Sequence, residues 1–153
     1  DLSDKYCLDG QRLINVSGAY GGNLTEYRTE IESFSKISSY GTQGNGPAYF
    51  IVTSKNGVTT EYGLGNGAQQ FAQNNGTVLT WQVSRIKDVA GNSMQVFYTT
   101  DSWTTGEHRI DRIDYTYNGT AFVGGVARSV KFNYGARSDV ETSYVSGSAV
   151  SGS

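Results

Sequence analysis

The sequence predicts an all-β fold of antiparallel hairpins in a twisted or wound sheet, with little or no helix. Three observations carry this prediction. Met94, Val96 and Tyr98 alternate with Ser93, Gln95 and Phe97, the period of two that gives a pleated strand one preferred face. Turn-forming residues recur between such runs: Asp9 and Gly10, Asn56 and Gly57, Asp88 and Gly91, Asn118 and Gly119. Finally, 20 glycines stand against a single proline, with 11 tyrosines, a composition of many tight turns and aromatic-rich strands.

The elements follow in order. Cys7-Leu8 and Gln11-Arg12-Leu13 flank Asp9-Gly10 as a small hairpin, and residues 18–22 form a loop. In residues 26–39 Ile31, Phe34 and Ile37 recur every three positions, a helical interval, but Thr29, Ser33, Ser35, Ser38 and Ser39 are weak helix formers, so strand is expected there. Asn56-Gly57 between YFIVTSK and VTTEY predicts a type I′ hairpin. Its two-residue loop sets Lys55 against Val58, Thr53 against Thr60 and Ile51 against Tyr62. Residues 63–76 are polar and glycine-rich, with Phe71 the one large apolar side chain, and are expected as a loop or flap. Residues 81–98 form the central hairpin, turning at Asp88-Val89-Ala90-Gly91 in a type I turn.

After a turn region over 99–106, Asn118-Gly119 predicts a second type I′ hairpin with Tyr115 facing Phe122. Gly124-Gly125 turns the chain again, and Val130, Phe132 and Tyr134 mark the last strand. That strand carries one lysine and no proline, so its edge is little protected and self-association through it is expected. Val83-Ser84-Arg85-Ile86-Lys87-Asp88 and Ile110-Asp111-Arg112-Ile113-Asp114-Tyr115 share an Arg-Ile pair whose isoleucine stands three residues after an apolar one, an imperfect repeat of the kind found in stacked or wound sheets.

At 153 residues the chain has room for one core. A single β-rich domain is expected over 1–145, with 146–153 a Ser/Gly-rich tail or linker, and the whole a piece of a larger protein. The net charge of −2, from 12 basic and 14 acidic residues without runs of either sign, lacks the basic field that nucleic acid requires. Cys7 is the lone cysteine and has no partner for an internal disulfide. No apolar stretch reaches the roughly 18 residues of a membrane-spanning helix.

Candidate sites are few. His108, between Glu107 and Arg109, is the one side chain suited to proton transfer near neutral pH, but no nucleophile motif accompanies it, and a surface histidine in a loop before a strand is expected. Glu30 and Glu32, or Asp111 and Asp114, have arginines nearby and are expected as cross-strand ion pairs rather than an acid and base pair. No metal-ligand spacing occurs, and neither metal nor cofactor is expected. Trp103, Trp81 and Tyr115 are the candidates for a ligand platform, because flat rings with polar edges stack on sugars. Trp103 stands out as a large aromatic within the polar run Asp101-Ser102-Trp103-Thr104-Thr105. The sequons at Asn15, Asn23, Asn75 and Asn118 are expected by chance in so Asn- and Thr-rich a chain.

Several blocks carry a family likeness: Cys7-Leu8-Asp9-Gly10-Gln11-Arg12-Leu13, Tyr27-Arg28-Thr29-Glu30-Ile31, Gly57-Val58-Thr59-Thr60-Glu61-Tyr62-Gly63, and Val83-Ser84-Arg85-Ile86-Lys87-Asp88 followed by Gly91-Asn92. With Arg128-Ser129-Val130-Lys131-Phe132-Asn133-Tyr134 and Arg137-Ser138-Asp139-Val140, they resemble in order the SpvB/TcaC-type N-terminal region of bacterial toxin-complex and Rhs-repeat (YD-repeat) virulence proteins. The resemblance implies an Rhs-shell-like or sandwich-like sheet and a non-catalytic role. The domain would contribute to a shell that encloses and helps deliver a C-terminal toxic effector, in a secreted or cell-surface bacterial protein. Its partners would be other segments of the parent shell or a toxin-complex subunit. The alternative is a carbohydrate-binding or surface-adhesion module that uses its exposed aromatics on a glycan.

Overall fold

A computed structural model describes residues 5–31, 34–72, 76–101, 107–119, 121–125, 128–135, 141–145 and 148–152. Its strands are β1 (Cys7–Leu8), β2 (Gln11–Ser17), β3 (Glu26–Thr29), β4 (Lys36–Tyr40), β5 (Tyr49–Thr53), β6 (Thr59–Tyr62), β7 (Gln69–Phe71) and β8 (Val78–Trp81). They continue as β9 (Val83–Lys87), β10 (Asn92–Asp101), β11 (Glu107–Asn118), β12 (Ala121–Phe122), β13 (Arg128–Lys131), β14 (Glu141–Val145) and β15 (Ser148–Gly152). Among the described residues the one helical element is a 3-10 turn at Val123–Gly125. The fold is all-β and antiparallel.

One eleven-stranded sheet runs in the order β1-β2-β3-β4-β5-β6-β9-β10-β11-β12, with β13 also pairing β11. The near-sequential order reflects short hairpin connections, which bring neighbouring runs together at little loop-closure cost. The break in order, β6 to β9, arises because β7 and β8 leave as a separate two-stranded sheet. Residues 63–76, expected as loop, therefore contain a strand, and Ala68 and Ala72 are buried there. The expected tail over 146–153 likewise includes β15, which pairs β14 residue for residue from Glu141–Gly152 to Val145–Ser148. Residues 26–39 form β3 and β4, with Ile31 and Phe34 exposed in the connection and Ile37 in the core. The three-residue spacing in that run therefore marks no helix.

Both predicted type I′ pairings shift. At the 54–58 turn Thr53 pairs Thr59, Ile51 pairs Glu61 and Phe50 pairs Tyr62, one residue off the expected register. Only Gly57 takes a positive φ there, +81°. Ser54 explains the change: its carbonyl accepts from Gly57 N at 2.9 Å and its N–H donates to Val58 O at 2.9 Å, while its hydroxyl bonds the Asn56 side chain. The result is a type I turn closed by a left-handed glycine. At the second site Asn118 pairs Ala121 and Tyr117 pairs Phe122, and Tyr115 lies opposite Arg128 instead. Asn118 stays in β11 because its side-chain amide donates to Ala90 O (3.3 Å) and Asn92 Oδ1 (3.1 Å), tying it to the neighbouring turn.

The two mirror-image φ values occur instead at Asp9 (+50°) and Gly10 (+76°), where Leu8 pairs Gln11 across a two-residue loop. The 88–91 turn is type I as its residues demand, with Gly91 N donating to Asp88 O at 3.1 Å and Gly91 at φ +87°.

Leu13, Tyr27, Ile37 and Phe50 form the core, packed by Tyr6, Tyr20, Tyr62 and Trp81. Phe50 meets Trp81 edge to face at 5.1 Å and Tyr6 at 5.5 Å, geometries that suit ring quadrupoles. The polar tips are satisfied. Tyr27 Oη accepts from Gly21 N at 2.9 Å, and Tyr20 Oη accepts from Tyr6 N at 2.7 Å and donates to Leu13 O. Burial still raises the phenol pKa of Tyr6 and Tyr20, because the charged form loses its hydration.

Candidate functional site

In an antiparallel sheet directly paired residues share a face, so register assigns the surfaces. One row runs Ile37-Val52-Thr60-Ile86-Met94 across β4, β5, β6, β9 and β10. The next step along β10 begins a second row on the same side, Val96-Ile113-Val130. At the β4 end this face is core, with Ile37 1% exposed, whereas at the β13 end Val130 is 49% exposed. The layer of Tyr6, Tyr20 and Trp81 packs on the first end, and in the second row Val96 is also buried, so the exposure is greatest at the outer strand.

At this end lies a cleft of about 460 Å³ lined by Val58, Ile86, Met94, Thr116, Tyr117 and Val123 together with the polar Asp88, Asn92 and Ser93. A bulge shapes it. Ser93 pairs Tyr117 but Gln95 pairs Asp114, so β11 sets Tyr115 and Thr116 against Met94 alone. Thr116 sits at φ +76°, a strained conformation for a β-branched residue that costs on the order of 1–3 kcal/mol. Val123 in the cleft wall and Tyr115 next to it are exposed, as are Val130, Phe132 and Tyr134 farther along β11 beside Ile113, Asp111 and Ile110.

The rim chemistry is set by the 88–92 turn. The Asn92 side-chain amide and the backbone N–H groups of Asn92, Ala90 and Gly91 hold the Asp88 carboxyl below its ordinary pKa of 3.8. Both oxygens accept hydrogen bonds, Oδ1 from Ala90 N and Asn92 N at 2.9 Å and Oδ2 from Asn92 Nδ2 at 3.0 Å. Asp88 thus serves its turn. An apolar floor with an engaged carboxylate at its edge is suited to receiving apolar side chains of another surface.

The sequence-predicted residues are not assembled here. Trp81 belongs to the opposite end, where its Nε1 donates to Pro47 O and Ala48 O at 3.1 Å and its ring packs on Phe50 and Tyr6. Tyr115 is 40% exposed on β11, beside the cleft. Trp103 lies outside the described residues, as does Glu32. His108 is not in a loop: it sits within β11, stacks on Tyr98 at 4.7 Å and has Nε2 2.8 Å from Gly67 O, joining the 63–67 loop to the sheet. Arg112 bonds Asp114 (3.2 Å) and Asp111 (3.4 Å) and lies over the Phe97 ring at 3.8 Å, an ion-pair cluster on the face opposite the cleft. Cys7 is exposed on β1. Among the described residues no group of three His, Cys, Asp or Glu is placed to hold a metal ion, and no helix is long and apolar enough to cross a membrane.

Sequence reasoning missed the cleft. The alternation of Met94 and Val96 does place them on one face, but no local pattern tells which stretch of that face the rest of the chain leaves bare.

Comparison with known proteins agrees with the geometry. Residues 9–146 match the family model SpvB, described as Salmonella virulence plasmid 65kDa B protein. The solved N-terminal domain of effector protein SpvB from Salmonella typhimurium strain LT2 is similar to this chain with a TM-score of 0.72 at 15% sequence identity, covering 94% of this chain and 64% of that chain. The chain therefore spans just under two thirds of that domain, and at such identity the likeness is one of fold. No curated protein sequence matches the chain significantly.

Proposed function

The chain belongs to the SpvB family, matched over residues 9–146, and on that premise we propose that it is a non-catalytic β domain in the shell of a virulence protein. That shell encloses a C-terminal toxic effector and helps deliver it, in a secreted or cell-surface bacterial protein of the toxin-complex or Rhs type. The observation that carries the reading is the form of the sheet. Eleven strands in nearly sequential order make a wide sheet whose Leu13-Tyr27-Ile37-Phe50 cluster packs at one end while Val130 at the other is half exposed, a piece suited to being joined by neighbours rather than to closing around a substrate. The structure that shares this fold is the N-terminal domain of an effector protein, which fits a β domain in a virulence protein.

The test compares the parent protein with a version lacking residues 9–146. Deletion is expected to leave the effector's own chemistry intact while abolishing its protection from protease and its delivery. Unchanged protection, or turnover of a substrate by residues 1–153 alone, would refute the reading. Saturable oligosaccharide binding that is lost in Tyr115→Ala with the fold intact would favour a glycan-binding module instead.

A further inference from the structure

We propose that the bare end of the sheet, the cleft together with Tyr115, Val123, Val130 and Phe132, is an internal docking surface. Its occupant is a second β layer supplied by the part of the parent domain that this chain does not span. The inference rests on the reading of the chain as one part of a larger shell.

Three observations converge on it. The first is the contrast along a single face: Ile37 is sealed, while Val130, on the same face by register, is half exposed. A sheet with one apolar face is stable when that face meets another layer, and here the cover reaches Val96, 6% exposed, but leaves Val130 in the same row open. The second is the size of the related domain. This chain accounts for 64% of it while 94% of the chain superposes, which leaves about a third of that domain with no counterpart here. The third is the chemistry of the surface. Ile86, Met94 and Val123 line the cleft, the Asp88 carboxylate beside them is engaged in its own turn, and the β11 bulge is held at a strained Thr116. Alternating aliphatic and aromatic side chains of a facing strand pair fit such a floor, as in the interior of a sandwich.

Thiol labelling of the full-length protein tests this. In a background in which Cys7 and every other native cysteine of the full-length protein are replaced by serine, single cysteines are placed at Val130 and Val123 on the surface and at Val89 as a control. Val89 is 79% exposed at the tip of the 88–91 turn. Val130→Cys and Val123→Cys are expected to react with a maleimide on the order of ten-fold or more slowly than Val89→Cys, as for sites reached only by local opening, and at a rate independent of protein concentration. Equal rates at all three positions would overturn the proposal. Protection that grows with protein concentration would also overturn it, because a second copy would then be the cover. Slow labelling in a protein whose effector stays protected without residues 9–146 would uphold the docking surface and sink the shell reading, so the two fail separately.

Discussion

Replacing Gly63 with alanine tests how the 63–67 loop is held against the core. Gly63 has φ +78°, and a Cβ there would lie 2.5 Å from Trp81 Cδ1 and 3.2 Å from Ala48 O. Gly65, two residues on, has φ +67° with nothing within 4 Å of its Cβ. Both substitutions incur the left-handed backbone penalty of about 1–2 kcal/mol, and both narrow the unfolded ensemble alike. Only Gly63→Ala must also push aside an indole whose N–H is anchored to Pro47 O and Ala48 O, an overpacking cost of about 1–3 kcal/mol. At roughly 2–4 °C per kcal/mol for a chain of this size, Gly63→Ala melts about 2–12 °C below Gly65→Ala. Thermal unfolding followed by far-ultraviolet circular dichroism measures the gap without relying on the perturbed indole. If the two variants melt within a degree of one another, the packing of Trp81 against residue 63 is wrong.

Two further outcomes follow from buried and turn polar groups. Ser39 is fully buried and donates to Gly22 O at 2.6 Å, so Ser39→Ala leaves that carbonyl short of a partner and lowers stability by about 1–3 kcal/mol in urea titration; a change within error would mean that water replaces the hydroxyl. Asp88 has its folded pKa depressed by the Asn92 amide and the turn N–H groups. Its contribution is therefore fully present above the ordinary value of 3.8 and is lost as pH falls through the lower folded value. The Tm gap between the native protein and Asp88→Ala is expected to be constant near neutrality and to close in acid; a gap that widens in acid would show that the carboxylate does not act through these bonds.

Much of the fold was legible locally. Period-two alternation located the central hairpin, and Asp88 and Gly91 dictated its type I turn because an aspartate oxygen can cap the amides that follow and glycine tolerates positive φ. The Asn-Gly pairs misled in register, since a dipeptide sets a preference while Ser54 and the Asn118 contacts to Ala90 and Asn92 supplied competing hydrogen bonds. Those partners lie on other residues and other turns, out of reach of a two-residue rule. Trp81 shows the same limit for the site: its type suited a ligand platform, but its neighbours Phe50 and Tyr6 are 31 and 75 positions away in the sequence, and they place it in the core.

By itself the sequence determined the class of fold, the strands of the main ladder and the family likeness, because each rests on side-chain alternation, turn chemistry or short blocks that need no distant partner. Only the tertiary structure decided which end of the sheet is sealed. Tyr6, Tyr20 and Trp81 cover Phe50 and Tyr27, while Val130 on the outer strand stays half exposed. Burial is a property of what lies opposite a face, and two strands with the same alternation can face a neighbour or the solvent.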